Sequence, residues 1–225
     1  SVGLTIGKPI LLDTGPKLDL IFNGSTTNLN VGASKTQQIN TKSYSFGGKV
    51  TDFVSLSDWD LAAFGFIGRN SYDSTRKVMS NSSSTGFETI SASYAGMGVL
   101  VGVDAQYSQP IDENLNFKGS VNANLNYEEI GTYSESKYFA WGSRRLLQVA
   151  GGFTAGFEHQ TDALTTFGSV GAQRSSLQSG RTATYVNNGT SGSYANSANG
   201  DTYRTASFGV KYEDGDGITM TTALN

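Results

Sequence analysis

The sequence has no cysteine, a single histidine and only 3 prolines among its 225 residues. Without cysteine, disulfides and thiolate metal sites are excluded, and an oxidising periplasm or cell surface is compatible with the chain. The 16 Lys and Arg residues are outnumbered by 19 Asp and Glu, so the net charge is −3 and no nucleic-acid partner is indicated. No apolar run approaches the roughly 18 residues of a membrane-spanning helix.

The clearest pattern present is a strict two-residue alternation from Asn114 to Glu128. Successive side chains of a strand point to opposite faces, so the alternation predicts one long strand with an apolar and a polar face. The apolar row is Leu115, Phe117, Gly119, Val121, Ala123, Leu125 and Tyr127. The polar row is Asn116, Lys118, Ser120, Asn122, Asn124, Asn126 and Glu128.

The length of this strand favours a membrane over a soluble core. A membrane-crossing strand needs about 9–11 residues, whereas a strand in a globular protein has about 5–6. Lys118 at mid-strand would cost about 2–4 kcal/mol if it faced the bilayer midplane. The polar row is therefore expected to face inward, toward an aqueous lumen.

The same alternation recurs along the chain and predicts ten strands. Short turns and long loops between them alternate, as they do in an up-and-down transmembrane barrel with short periplasmic turns and long outer loops. The predicted short turns are 12–16, 55–58, 109–114, 159–163 and 213–217. The predicted long loops are 31–42, 70–96, 129–146 and 175–202. The facing of the strand that begins at Trp59 is ambiguous, because both of its rows hold apolar residues.

Two sets of side chains are the candidate functional residues. The predicted lumen-lining set is Lys49, Asp60, Asp104, Lys118, Asn122, Asn124, Glu128, Glu158 and Lys211. These residues either form a polar path for an unfolded polypeptide or small solutes, or simply solvate and brace the lumen. The predicted aromatic girdle at the two membrane interfaces is Trp59, Tyr107, Tyr127, Trp141 and Tyr212, with Tyr44.

No pattern predicts catalysis, a metal or a cofactor. Glu158 and His159 are adjacent, but no nucleophile signature accompanies them, so His159 is interpreted as a rim residue. The run from Asp214 to Gly217 lacks the later ligands of a calcium loop and is interpreted as a type I′ turn.

Several stretches resemble the C-terminal translocator barrel of autotransporters, the type V secretion proteins of Gram-negative bacteria. These are Asp58-Trp59 leading to Gly68–Ser74, the run Val101–Ser108, the run Leu115–Ser120, and Phe208–Tyr212 before its hairpin. The resemblance rests on the rhythm of strands and turns over nearly the whole chain. It implies a twelve-strand barrel whose pore is threaded by an N-terminal helix joined to an exported passenger.

Relative to that family pattern, the chain starts at the second strand and stops at the eleventh, so we expect an excerpt of a larger protein. Residues 1–225 are expected to form a single outer-membrane β-barrel domain. Its expected role is to anchor and help export a covalently attached passenger, with no enzymatic step and no cofactor. Outer-membrane lipid and the outer-membrane assembly machinery are the other expected partners, and the long loops are expected outside a Gram-negative cell.

Three alternatives remain open on the sequence. The first is a porin-like, structural or adhesive outer-membrane barrel. The second is an outer-membrane enzyme with its chemistry at the extracellular rim, which a single histidine makes hard to build. The third is a soluble β protein such as a fibre or capsid domain.

Overall fold

The computed structural model describes residues 2–10, 16–31, 36–54, 58–81, 83–161, 164–195, 200–213 and 219–224. These residues lie almost entirely in β-strands. Within these ranges there is no helix long and apolar enough to cross a membrane. The strands are β1 (Val2–Ile10), β2 (Lys17–Val31), β3 (Gln37–Thr51), β4 (Trp59–Met79), β5 (Phe87–Pro110), β6 (Leu115–Ile130), β7 (Tyr133–Ser134), β8 (Phe139–Trp141), β9 (Arg144–Thr161), β10 (Leu164–Ser179), β11 (Thr182–Asn187), β12 (Thr190–Ala195), β13 (Asp201–Glu213) and β14 (Thr219–Leu224).

Ten of these strands form one antiparallel sheet in the order β1-β2-β3-β4-β5-β6-β9-β10-β13-β14. Each strand therefore pairs with its neighbours along the chain, and the predicted all-β, up-and-down arrangement is confirmed. The other four strands form a small second sheet in the order β12-β11-β8-β7. This second sheet lies within two of the predicted long loops, so it is named here the cap sheet.

The two faces of the large sheet are sharply different in composition. Val121 lies opposite Ala105 on β5 and Phe153 on β9, and Leu125 lies opposite Val101 and Val149. Val121 and Phe153 are 53% and 56% exposed, whereas Asn122, the next residue along β6 and on the opposite face, is half-buried. The sheet is therefore curled around its polar face, with its apolar face outward. A soluble core would require the opposite arrangement.

The ambiguous facing of β4 is resolved by the register. Trp59, Leu61, Ala63, Gly65 and Ile67 share the apolar face with the outward row of β5. Phe64 and Phe66 lie on the polar face, each above a glycine. A Cβ atom at Gly102 would overlap the ring of Phe64, and one at Gly47 would overlap Phe66. The glycines thus let two large rings lie flat against the inner wall.

The predicted long loops are shorter than expected because strands continue into them. The predicted loop 70–96 was expected to be largely unpaired from Ser71 to Gly86. Instead, β4 runs to Met79, β5 begins at Phe87, and only 80–86 connects them. Backbone pairing continues here, but polar or charged residues occur on both faces, Asp73, Thr75 and Lys77 on one and Ser74 and Arg76 on the other. The apolar-polar alternation that marks a strand is therefore lost. The loop interpretation of 71–79 was wrong for this reason.

The predicted short turn 109–114 is present between Pro110 and Leu115. Its Asp112 Oδ1 accepts hydrogen bonds from the backbone N–H groups of Asn114 and Leu115 at 2.9 and 2.8 Å. This arrangement is an Asx-type turn, which suits a tight antiparallel reversal. Three of the other predicted turns, 12–16, 55–58 and 213–217 with its type I′ turn, lie largely outside the described residues. In the predicted turn 159–163, β9 continues to Thr161 and pairs with Leu164 at the start of β10, so the strands extend farther into it than expected.

Candidate functional site

The structure places all nine predicted lumen-lining residues on the polar face of the large sheet. Register relations fix this assignment: Lys49 lies opposite Phe64, Asp60 opposite Gln106, and Asp104 opposite Asn122. Farther along the sheet, Asn124 lies opposite Ala150 and Lys211 opposite Thr165. Charges of both signs therefore line the concave surface.

Two of these charges form an ion pair, and three others border one cavity. Lys118 Nζ on β6 lies 2.8 Å from Glu158 Oε2 on β9, and both side chains are partly exposed. Near the short-turn end, Lys49, Asp60 and Asp104 border a cavity of about 360 Å³. Such exposed ion pairs contribute little to stability, typically 0.2–1 kcal/mol by measurement on other proteins, as an order of magnitude. Their main effect is to keep the wall hydrated.

Glu128 differs from the other members, because it is buried. Its side chain is 8% exposed, and its Oε1 accepts hydrogen bonds from Tyr72 Oη at 2.7 Å and Asn70 Nδ2 at 2.9 Å. Both donors come from β4, two strands away from β6. A Cβ atom at Gly96 of the intervening β5 would overlap the Glu128 carboxylate. The absence of a side chain at Gly96 therefore allows the contact.

The sequence-based search missed Tyr72 and Asn70, since both lie in the stretch assigned to a loop. The available signal was indirect. Gly96 and Gly98 are two residues apart and therefore lie on the same face of β5, where they are opposite Ile130 and Glu128. Paired glycines on one face mark a place where a neighbouring side chain crosses over the strand.

The cap sheet is attached to the large sheet by an ion pair. Arg76 donates to Glu135 through Nε at 3.2 Å and Nη2 at 2.8 Å, and the Glu135 side chain is 9% exposed. Trp141 Nε1 also donates to Glu135 Oε1 at 3.2 Å. The Arg76 guanidinium lies 5.2 Å from the ring centre of Phe139, a cation–π contact. One carboxylate thus joins β4 to β8.

Stacked aromatic rings continue from the large sheet into the cap sheet. The centroid distances are 4.9 Å from Tyr72 to Tyr94, 4.2 Å from Tyr94 to Tyr133 and 6.2 Å from Tyr133 to Trp141. Tyr185 of β11 meets Trp141 edge-on at 5.5 Å. Burial raises the pKa of Tyr94, and it raises the pKa of Tyr133 to about 12. The neutral phenols are therefore favoured in the stack.

A second attachment lies farther out, at the tip of the β4–β5 hairpin. Glu88 accepts hydrogen bonds from Lys137 and from Tyr138 Oη, the latter at 2.9 Å. The Lys137 hydrogen bond holds the pKa of Glu88 below its ordinary value, and the Tyr138 hydrogen bond acts in the same direction. Both attachments hold the segment between β6 and β9 against β4 and β5.

A cavity of about 380 Å³ lies between the two sheets. Its lining includes the Arg76–Glu135 pair, the guanidinium of Arg144 and the rings of Tyr133 and Trp141. The cap sheet therefore covers part of the concave face at the long-loop end and encloses a mixed polar and aromatic space.

The predicted girdle residues fall into two groups. Trp59 and Tyr107 contact each other on the apolar face with ring centres 5.1 Å apart, at the short-turn end. Tyr212 lies on the apolar face near the same end, and Tyr127 lies on that face toward the long loops. Trp141 lies elsewhere: it belongs to β8 of the cap sheet and stacks on Tyr133, so it does not lie in the wall of the large sheet.

His159 is exposed at the short-turn end of β9, where its Nδ1 lies 3.4 Å from Thr161 Oγ1. Among the described residues, no group of three or more His, Asp or Glu side chains is arranged to hold a metal ion.

Comparisons with known proteins agree with this geometry. The chain is similar in fold to the translocator domain of the autotransporter NalP from Neisseria meningitidis, with a TM-score of 0.69 at 14% sequence identity. That similarity covers 99% of this chain and 74% of the NalP chain. No curated protein sequence matches the chain. The model of the autotransporter β-domain family matches residues 1–225. This match covers the whole chain, and the outward apolar wall and charged concave face of the chain agree with it. The chain therefore belongs to the autotransporter β-domain family.

Proposed function

We propose that this chain anchors an attached passenger polypeptide in the outer membrane and assists its export through the polar interior. The curled sheet carries this proposal most directly: exposed Val121 and Phe153 suit lipid, while Asn122, Asp104 and Lys118 on the other face suit water. Membership in a family of translocator barrels supports the membrane context.

The nine lumen-lining residues serve, on this proposal, as a wettable surface. Both signs of charge and several amides line it, so most of the surface that an unfolded chain meets is hydrated, with Phe64 and Phe66 as apolar exceptions. Passage is then a transport event without a chemical step, and no side chain of the concave face is assigned a catalytic role.

The proposed orientation places the cap sheet and the 80–86 hairpin outside the cell and the 111–114 turn in the periplasm. The chain has no cysteine, so single-cysteine labelling tests this directly. Ser84→Cys and Glu113→Cys introduce thiols at exposed positions on opposite ends of the strands. In intact cells a membrane-impermeant maleimide labels Ser84→Cys, whereas Glu113→Cys reacts only after the outer membrane is opened. The reverse pattern refutes the orientation.

Export itself is tested with an epitope-tagged reporter joined upstream of Ser1 in a secreted fusion. The expected result is a reporter that added protease removes from intact cells. The same reporter expressed without the barrel is the control and remains protected in the periplasm. If the barrel assembles and the reporter nevertheless stays protected, the anchoring part of the proposal survives and the export part is wrong.

A further inference from the structure

A groove on the outer wall has the dimensions of a site for a lipid chain. It lies across β9, β10 and β13 on the apolar face and has a volume of about 510 Å³. The side chains that form this wall groove are Ala155, Phe157, Gly168, Val170, Ala206 and Phe208. Its floor is made of small residues, and two phenylalanine rings stand at one end.

The register explains why the wall is hollow here. Gly168 lies between Phe157 on β9 and Phe208 on β13, and a Cβ atom at Gly168 would lie only 3.0 Å from the Phe157 ring. Ala155 and Ala206 flank Val170 one step farther along the strands. A flexible apolar chain packs well into a depression that is bordered by larger side chains.

The long-loop end of the wall groove is positively charged. Arg204 lies directly opposite Ala172, one step beyond Ala206 on the same face, and Arg174 lies diagonally next to it, opposite Thr202. From Val170 to Arg174 the strand rises roughly 13 Å. Both arginines are exposed, and neither forms a hydrogen bond or ion pair within the part of the chain that the structure describes.

The charges on the apolar face of β2 to β13 are distributed asymmetrically. Every charged residue that the register of these strands places on this face lies toward the long loops, whereas Lys8 on β1 is opposite Leu20, toward the short turns. The basic members are Lys42, Arg69, Arg145, Arg174 and Arg204, and Lys77 lies farther out on the projecting β4–β5 hairpin. The two acidic members, Asp73 and Glu129, are engaged by Ser93 and Arg145 respectively. This belt therefore offers basic groups to lipid headgroups at one membrane surface.

We infer that the wall groove and the Arg174–Arg204 pair together bind one phosphorylated glycolipid of the outer leaflet. An acyl chain lies in the groove and a sugar phosphate contacts the two guanidinium groups. Arginine is suited to this role because its planar fork contacts phosphate oxygens bidentately. The inference rests on the proposed orientation, since only that orientation places the long-loop end in the outer leaflet.

Charge complementarity selects the glycolipid over other lipids. Two neighbouring exposed guanidinium groups without an acidic partner attract a ligand that carries about two negative charges. A zwitterionic phospholipid brings an amine with its phosphate and so adds no net charge. A lipid of the lipid A type, with phosphates on its sugars and several acyl chains, supplies both the charge and the chain.

The inference is tested by measuring binding of bis-phosphorylated lipid A to the full chain in nanodiscs of zwitterionic lipid. Replacing both arginines (Arg174→Gln with Arg204→Gln) is expected to weaken binding about tenfold or more, which corresponds to about 1.4 kcal/mol. Lys42→Gln with Arg69→Gln is the matched control: it removes the same charge from the same belt away from the groove. This control is expected to change binding less than about threefold.

A second variant tests the groove without changing any charge. Ala206→Trp fills the space beside Val170 and is expected to weaken lipid A binding while Arg174 and Arg204 remain. Heat-modifiable migration on gels shows that each variant has assembled. Removing the phosphates from lipid A is expected to weaken its binding to the wild-type protein as much as removing the two arginines does, because both changes remove the same phosphate–guanidinium contact.

The inference is overturned if wild type and the double arginine variant bind lipid A equally, or if the Lys42/Arg69 control loses as much binding as the double arginine variant. Phosphatidylglycerol that binds as tightly as lipid A also overturns it, because the site is then a general anion site. Failure here is distinguishable from failure of the proposed function. Surface labelling of Ser84→Cys and display of the reporter do not depend on the wall groove.

Discussion

Tyr72 on β4 donates a 2.7 Å hydrogen bond to Glu128 on β6, across the full width of β5. Asn70 reinforces the contact from the same strand, and Gly96 provides the space for it. Three strands are thereby joined on the concave side by side chains as well as by backbone. This link favours the curvature that the wall needs, since it shortens the distance between β4 and β6.

Removing the Tyr72 hydroxyl is expected to destabilise the assembled chain. Tyr72→Phe keeps the ring stacked on Tyr94 but takes one of two donors from a buried carboxylate, a loss of about 1–3 kcal/mol. The midpoint of unfolding in urea, measured in detergent or lipid, is expected to fall. Tyr127→Phe is the matched control, because that hydroxyl lies 3.4 Å from an exposed carboxylate of Glu129. Equal shifts for the two variants would contradict this role of Tyr72.

Adding a methyl group at Gly96 is expected to break the same link by a different route. In Gly96→Ala the new Cβ occupies the position of the Glu128 carboxylate, so Glu128 must leave both donors. We expect destabilisation of at least about 1 kcal/mol, as for other buried groups left without partners. Gly131→Ala is the control, because no atom lies within 4 Å of a Cβ built there. A barrel as stable as wild type would contradict the prediction.

Adjacent residues on β6 test which face meets lipid. Val121→Arg places a charge on the exposed apolar face and is expected to cost about 2–4 kcal/mol near the bilayer midplane. Asn122→Arg places the same side chain on the concave face beside Asp104 and is expected to be tolerated. Yield of heat-modifiable protein in the outer-membrane fraction and urea unfolding both report the difference. Greater damage from Asn122→Arg would reverse the assignment of the faces.

Alkaline pH is expected to loosen the cap sheet from the wall. Burial raises the pKa of Tyr133 to about 12, so the folded stack resists ionisation that begins near pH 10 in an unfolded chain. Its stabilising effect is complete below about pH 10 and is lost as the pH rises toward 12. The chain has two tryptophans, so Trp59→Phe leaves Trp141 as the single reporter.

In that background, absorbance at 295 nm is expected to show tyrosinate formation delayed for the stacked rings, together with a change in Trp141 fluorescence. Tyr133→Phe removes one of the late-titrating phenols and is the control: the late part of the absorbance change is expected to decrease. Tyrosinate formation that is complete near pH 10, with no change at Trp141 above that pH, would argue against the stack.

The sequence predicts the membrane-embedded part of the fold well because the information there is local. On β6, the polarity of each residue from Leu115 to Tyr127 predicts which face of the sheet its side chain lies on, and the two-residue alternation is uninterrupted. Beyond Arg69 on β4, the outward face carries polar residues, and the inward face places Tyr72, Ser74 and Arg76 beneath the cap sheet. Polar residues therefore occur on both faces and the alternation vanishes. The strand continues there because backbone pairing with β5 persists, which composition does not reveal.

The cap sheet and the Glu128 site depend on contacts between distant segments. Trp141 pairs with Tyr185 on β11, and Tyr72 reaches Glu128 from a strand that is not its neighbour. No periodicity in either segment specifies its partner. For the same reason Trp141 was expected in the girdle: an aromatic residue near a strand end is compatible with an interface and with a stacked cap.

The unbroken pairing of β4 with β5 beyond Arg69 has a consequence for cell-surface engineering. From Arg69 to Met79 the ladder extends roughly 30 Å along its axis, at about 3.3 Å per residue. Lys137 and Tyr138 hold this two-stranded projection near its tip through their hydrogen bonds to Glu88, so the projection is rigid. On the proposed orientation, a foreign epitope grafted into 80–86 would be held outside the cell and away from the lipid, without lengthening any unstructured segment.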